Sequence, residues 1–456
     1  MNEWQTLTLA DVCTVITDGA HQSPKTVSRG KPMASVKDLT RFGVDLTSAR
    51  HIATEDFEAL VKQGCKPHVG DVLIAKDGNS ALDTVCTVDH PLDAVLLSSV
   101  AILRPDPKCL DSVFLKFYLS SPETIDYLKS NFISGAAIPR VVLRDFKRAE
   151  IRLPSLDVQR RIAGVLQSID SKIDLNRRVN QTLEAMAQAI FQSWFVEFDP
   201  VKAKIAAKQE GRDPLRAAMT AVSGKADAEL DALPPEQYEQ LAATAVLFPD
   251  EMEESEYGEI PKGWGFRSVA DVAEFGRGKV DVSILNEDTY ISTENMLENR
   301  GGVSRATSLP SVATVPSFKT GQILVSNIRP YFKKIWMAHF DGGRSPDVLA
   351  FEPIVPQSTE FLYNLMYQDA FFEFMTRTAK GAKMPRGDKD AITGWRFPCP
   401  DEALMVYFAE KVRPHYEYIN SLKSENDSLA KLRDTLLPKL LSGELSVANA
   451  MVEAEA

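Results

Sequence analysis

The chain has 456 residues, of which 44% are apolar and 25% charged, so it can bury substantial cores, is not a disordered polypeptide, and has the length of about three domains. Its most apolar run, Ala94 to Leu103, holds two serines, and Met1 to Ala10 carries neither a basic cap nor an apolar stretch; no membrane span or secretory leader is expected, and the expected location is cytoplasmic. The net charge of −11 argues against nucleic acid as a partner, unless the acid is concentrated away from a basic face.

Residues 1–154 are mixed in character. They open on Trp4-x₅-Ala10-Asp11-Val12 and continue with Ala34-Ser-Val-Lys-Asp38-Leu39. Gly70-Asp-Val-Leu-Ile74 follows as a turn glycine before a short apolar strand. Ser112 to Asn131 has a helical pattern, and Gly135-Ala136-x₂-Pro139-Arg140 stands shortly before Pro154.

A long helix is predicted over 155–198. Ile162, Leu166, Ile169, Ile173, Asn176, Asn180, Leu183, Ala187, Ile190 and Trp194 follow one another at alternating steps of four and three, which is the seam of a coiled coil. Residues 199–260 then form an acidic, Ala- and Pro-rich connector, with 14 acidic and 6 basic residues from Asp199 to Glu259. The run Glu251 to Glu256 reads as a solvated, exposed linker.

Residues 261–399 repeat the first stretch. Trp264-x₅-Ala270-Asp271-Val272, Ile291-Ser-Thr-Glu-Asn295-Met296, Gly321-Gln-Ile-Leu-Val325 and Gly381-Ala382-x₂-Pro385-Arg386 recur in the same order, which indicates a duplicated domain. This copy is not acidic, with 17 basic and 15 acidic residues from Pro261 to Pro400. A second long helix is predicted over 400–442, with Phe408, Val412, His415, Ile419, Leu422, Asn426, Leu429, Arg433, Leu436 and Leu440 on its seam. Pro414 is expected to bend it or delay its start. Residues 443–456 form a tail.

Two helices of this length could each pack on their own domain, but two matching seams in one chain have an obvious partner in each other. If the copies are related by a twofold turn the helices run antiparallel, and Asn176 then faces Asn426. A polar seam residue fixes register, because an unpaired amide in that groove is costly.

Chemistry is harder to find. The five cysteines and six histidines lack metal-site spacing, and no phosphate-binding glycine loop or amino-methylating signature is present. Buried free thiols are the expected state of the cysteines. A binding protein fits better than an enzyme.

The motifs resemble a known family. Arg152-Leu-Pro154-Ser-Leu-x₂-Gln159-Arg-Arg-Ile162-Ala, Ile169-Asp-x-Lys-Ile173 and Asn180-Gln-x-Leu183-Glu-x-Met186 run into Ala189-Ile-Phe-Gln-Ser-Trp-Phe-Val196-Glu-Phe-Asp199-Pro. With Glu259-Ile-Pro-Lys-Gly-Trp264 and Leu436-Leu-Pro-Lys-Leu-Leu441-Ser-Gly-Glu-Leu445, they are similar to the helical regions and flanks of type I restriction-modification specificity subunits. The second helical region departs by lacking a Gln-Arg-Ile opening.

The resemblance implies a mixed α/β fold with two pseudo-symmetric target recognition domains separated by two long antiparallel coiled-coil helices. Each domain would read one half of a split double-stranded DNA target, and the helices would set a fixed spacer. Methyltransferase subunits, two of them, would dock on the helices, and restriction subunits would join. S-adenosylmethionine, ATP and Mg²⁺ would belong to those partners, leaving this chain non-catalytic, without a cofactor or metal of its own. A non-DNA coiled-coil scaffold and a lone nuclease are the rival readings.

Base and phosphate contacts come from donors and cations on loops leaving strand ends. In the first domain these are Lys76 and Asn79, then Lys37, Arg41 and Arg140. In the second they are Asn327, Arg329, Lys333 and Lys334, with Tyr331 to stack or pack. Arg386 is shared with the first copy and could be structural.

Overall fold

The computed structural model describes residues 4–78, 81–134 and 139–446. These fall into two compact units: residues up to Arg178 together with those from Leu422 onward, and Val179–Ser421.

The sheet at the centre of the first unit has the strand order Cys13–Asp18, Val100–Pro105, Val72–Ala75, Val85–Thr87, all antiparallel. Its middle strands are apolar without alternation because both faces are covered. Val72, Ile74, Ala101 and Leu103 pack with Phe114 and Phe117 on one side. Leu73, Ala75, Val100 and Ile102 face a second cluster with Cys86 and Leu96 on the other. Gln5–Thr8 pairs with Glu150–Leu153, which stitches the start of the domain to the strand that feeds the first long helix.

The second unit repeats this arrangement. Its corresponding sheet runs Ala273–Phe275, Val348–Pro353, Ile323–Ser326, Ile335–Met337, again antiparallel, and Gly265–Ser268 pairs with Arg396–Cys399. The sequence repeats are therefore repeats of fold.

The recurring motifs have a local cause. In Ala-Asp-Val, the carboxylate of Asp11 accepts from the Thr8 amide at 2.9 Å, and Asp271 accepts from the Ser268 amide at 2.7 Å. Each closes a short helical turn, Leu9–Val12 or Val269–Val272. Likewise Asp38 accepts from the Ser35 amide at 2.8 Å, and Asn295 accepts from the Ser292 amide at 2.6 Å.

The first long helix is Leu156–Phe191, continued by a π-helical turn over Gln192–Val196; the second is Glu402–Ser442. They pair antiparallel within each unit. In the first, Ile162, Leu166, Ile169 and Ile173 share a core with Leu436, Leu437 and Leu440, and Asp170 bonds Arg433 while Asn176 bonds Asn426. In the second, Phe191 and Trp194 meet Phe408 at ring separations of 5.5 and 6.0 Å.

Along the first helix Ala187 and Trp194 are buried, while Asn180, Leu183 and Ile190 are half-buried. Along the second Val412, Ile419 and Leu422 are buried, and His415, Asn426 and Leu429 are half-buried. Pro414 neither delays nor ends the second helix, which runs through it. It stands on the exposed face, where water can serve the carbonyl that a proline leaves without its helical donor.

The acidic connector is folded, and its run Glu251 to Glu256 belongs to a hairpin and not to a linker. It forms helices Asp199–Gln209, Pro214–Ser223, Asp227–Leu230 and Pro235–Val246 and a hairpin of Met252–Ser255 with Gly258–Pro261. Pro200, Pro214 and Pro235 each stand at a helix start, where proline's fixed φ and missing N–H cost nothing. Ala218, Met219, Leu230 and Ala245 form its small core, and Arg216 draws in Asp227 and Asp231 at 2.9 and 2.8 Å. Of the acidic run, Glu251, Glu253, Glu254 and Glu256 are exposed, but they lie on and around the hairpin.

Candidate nucleic-acid interface

In each unit the loop that leaves the inner strand of the central sheet is tied to the Gly-Ala-x-x-Pro-Arg loop by the same backbone bonds. In the first unit the Gly78 amide donates to the Pro139 carbonyl and the Val141 amide to the Lys76 carbonyl, both at 2.9 Å. In the second the Arg329 amide donates to the Pro385 carbonyl at 2.8 Å and the Gly387 amide to the Asn327 carbonyl at 2.9 Å. Asp77 bridges Arg140, and Ile328 bridges Arg386. The shared Pro-Arg motif thus ties two loops into a double loop by the same backbone bonds in both copies.

Gly387 leaves room for this close approach. A Cβ there would lie 2.6 Å from the side-chain oxygen of Asn327, which would have to shift.

The candidate side chains fall into different environments on this frame. Lys76 is buried, its ammonium 3.3 Å from both Asp18 and Asp77, and its counterpart Asn327 is buried with a side-chain oxygen that has no partner among the described residues. Lys37 is exposed on the turn Val36–Asp38. Arg140 is exposed on the short strand Arg140–Val141. Asn79, like Gly135 and Ala136, lies outside the described residues.

In the second unit Lys333 pairs with Asp369 at 2.7 Å. Lys334 donates to the Thr293 carbonyl at 2.8 Å, and Arg386 pairs with Asp347 at 3.0 Å. The hydrogen bonds from Lys333 and Arg300 hold the Asp369 carboxyl down at about 2. Tyr331 is exposed at the tip of the turn Pro330–Phe332. Arg329 stacks at 6.0 Å from the Phe332 ring.

Arg41 lies elsewhere. Its Nε donates to both oxygens of Asp170 on the first long helix, at 3.1 and 3.2 Å. Asp170 also accepts from Lys116 at 2.8 Å and from Arg433 of the second long helix at 3.0 Å. One buried carboxylate therefore joins the recognition domain to both helices. Burial alone would raise its pKa, but Lys116, Arg41 and the hydrogen bonds outweigh it and hold it below the ordinary carboxylate value. In the second unit the fully buried group at the junction is a neutral amide: Asn364 accepts from Gln188 at 2.7 Å and from Tyr416 at 3.1 Å, while Arg413 of the second long helix pairs with Glu360 of the domain at 3.0 Å.

Gln159 is a second junction residue. Only 1% exposed, it donates to the carbonyls of Cys109 and Pro154 at 3.0 and 2.9 Å and accepts from the Asp111 amide at 3.0 Å. The corresponding residue of the second copy is Met405, also buried, which accounts for the missing Gln-Arg-Ile opening. Sequence reasoning passed over Asp170, Lys116 and Gln159. The available signals were the glutamine and aspartate inside the quoted helical motifs and the lone seam cation Arg433, which needs a buried anion.

A sequence profile of the type I restriction modification DNA specificity domain matches residues 1–185. The HindI specificity subunit of Haemophilus influenzae, a type I restriction enzyme subunit, is 31% identical over 78% of this chain and 83% of its own. The chain belongs to the type I restriction enzyme specificity subunits.

The MjaIX specificity subunit of Methanocaldococcus jannaschii is 22% identical over 73% of this chain and 68% of its own. Among solved structures, the fold is similar to a type I restriction-modification system S subunit from M. genitalium, with a TM-score of 0.50, 16% identity and 96% of each chain covered. As a specificity subunit, this chain is the non-catalytic recognition component of a type I restriction enzyme. Among the described residues no helix is long and apolar enough to cross a membrane.

Proposed function

We propose that this specificity subunit reads a bipartite double-stranded DNA target, one half with each recognition domain. The observation that carries the reading is the double loop, built by the same backbone bonds in both copies and dressed with different side chains. Lys37, Arg140, Arg329, Lys333, Lys334 and Arg386 are the groups assigned to DNA, while Lys76 and Asn327 are buried in the frame that presents them and Arg41 ties the first domain to the helix pair. The paired helices fix the non-specific interval between half-sites and dock two methyltransferase subunits, with restriction subunits joining that core in the cytoplasm. S-adenosylmethionine, ATP and Mg²⁺ are assigned to those partners.

The test is a methylome of the host with and without this gene. Deletion is expected to erase one bipartite methylation motif, and an unchanged methylome would overturn the reading. Removing one heptad from each helix shortens the pair by about 10.5 Å. At about 3.4 Å per base pair, the spacer should lose roughly three base pairs. A spacer of unchanged length would separate the helices from that role.

A further inference from the structure

Gly78 and Arg329 occupy the same place in the two double loops. Each stands three residues beyond its inner strand, Val72–Ala75 or Ile323–Ser326, and each donates its amide to the proline carbonyl of the facing loop. Both backbones are left-handed, with φ of 96° at Gly78 and 49° at Arg329. Glycine adopts that conformation freely, whereas a residue with a Cβ is strained in it. The first copy shows that the turn forms without a side chain, so the arginine is not there to build it.

Nor does Arg329 stabilise its own surroundings by pairing. Lys333, Lys334 and Arg386 are all bonded within the unit. The Arg329 guanidinium is half-exposed and has no hydrogen bond or ion pair among the described residues, only the Phe332 ring at 6.0 Å. A strained arginine with unused donors points to a ligand outside the chain.

We infer that Arg329 sets the base preference of the second recognition domain, donating to a guanine edge at a position the first domain leaves bare. A guanidinium fork matches the two acceptors of guanine in the major groove. Phosphates are alike in both half-sites and would call for a cation in both copies at this place. A cation in one copy only suits the reading of two unlike sequences. The inference rests on the bipartite reading proposed above.

The experiment replaces Arg329 with the residue the first copy uses. Arg329→Gly relieves the left-handed strain, so the melting temperature of the purified chain should hold or rise, which separates readout from folding. In the host methylome, one G·C position in one half-site should become degenerate, with about a tenfold or greater loss of preference there, and the other half-site should stay as it was. An intact motif overturns the inference, as does a uniform fall in methylation with the motif preserved, which marks a phosphate contact. Either result leaves the bipartite reading standing. Loss of that reading would show instead as a methylome indifferent to deletion of the gene.

Discussion

Asn176 and Asn426 meet amide to amide across the helix pair, the Nδ2 of Asn176 donating to the Oδ1 of Asn426 at 2.9 Å. Asn176 also donates to Glu425 at 2.8 Å and is itself 2% exposed. Because the bond forms in one register only, a slip of the helices would leave a buried amide unpaired. Asn176→Leu should therefore destabilise the first unit by about 1–3 kcal/mol, visible as a lower melting temperature. Adding Asn426→Leu should restore most of the loss while weakening the discrimination between registers. A double variant no more stable than the single one would show that the amides were not coupled.

The neighbouring seam amide makes the opposite case. The Oδ1 of Asn180 is buried and has no hydrogen-bond partner among the described residues, and Leu422 stands at the place in the second helix that corresponds to Asn176. Asn180→Leu should accordingly stabilise the second unit, by about 1 kcal/mol or more. Thermal melts of the two leucine variants side by side should move in opposite directions, and a fall for both would refute the distinction.

Asp170 is the group whose loss should cost most. Asp170→Ala leaves the Lys116 ammonium, 2% exposed, and the Arg433 guanidinium, 11% exposed, without their shared carboxylate. Breaking a buried pair in this way costs about 3–5 kcal/mol. Denaturant unfolding monitored through the first unit should shift by that amount, whereas Asn364→Ala at the second junction should act on the second unit only. A loss below about 1 kcal/mol for Asp170→Ala would place the cluster among weak surface pairs.

The same carboxylate gives an acid limb. Its pKa is lower in the folded chain than its ordinary value, so its contribution is fully present above the unfolded value, about 3.9. That contribution is lost as the pH falls through the folded value. The gap in melting temperature between the parent and Asp170→Asn should thus be constant near neutrality and narrow as the solution is acidified below about pH 4. A gap that widened with acid would reverse the assigned sign.

The seams and the duplication were legible because they are periodic or repeated, and a heptad needs no knowledge of the rest of the fold. The capping aspartates and the Gly-Ala-x-x-Pro-Arg loops were legible as repeats, although the bonds behind them were not. The run Glu251 to Glu256 was misread as a linker because exposed acid marks a solvated linker and the surface of a hairpin alike, and only the pairing of Met252–Ser255 with Gly258–Pro261 decides between them. Lys76 and Arg41 looked like surface cations, since nothing nearby in sequence announces that Asp170 lies 129 residues away from Arg41. The left-handed backbone of Arg329 was invisible for the same reason: it is imposed by the facing loop.

Gln159 and Met405 allow the two junctions to be tested against each other. Gln159 bonds three backbone groups at the start of the first helix, and Met405 fills the corresponding place with an apolar side chain at 0% exposure. Gln159→Met keeps the volume but strands the Asp111 amide and two carbonyls, so it should cost about 1–3 kcal/mol in the first unit. Met405→Gln has no backbone partners prepared for it and should cost a similar amount in the second by burying an unpaired amide. Both losses would be read as lower melting temperatures, about 2–4 °C for each kcal/mol in a unit of this size. If Gln159→Met were silent, the glutamine would be serving something other than the junction, and its place in the helical motif would need another cause.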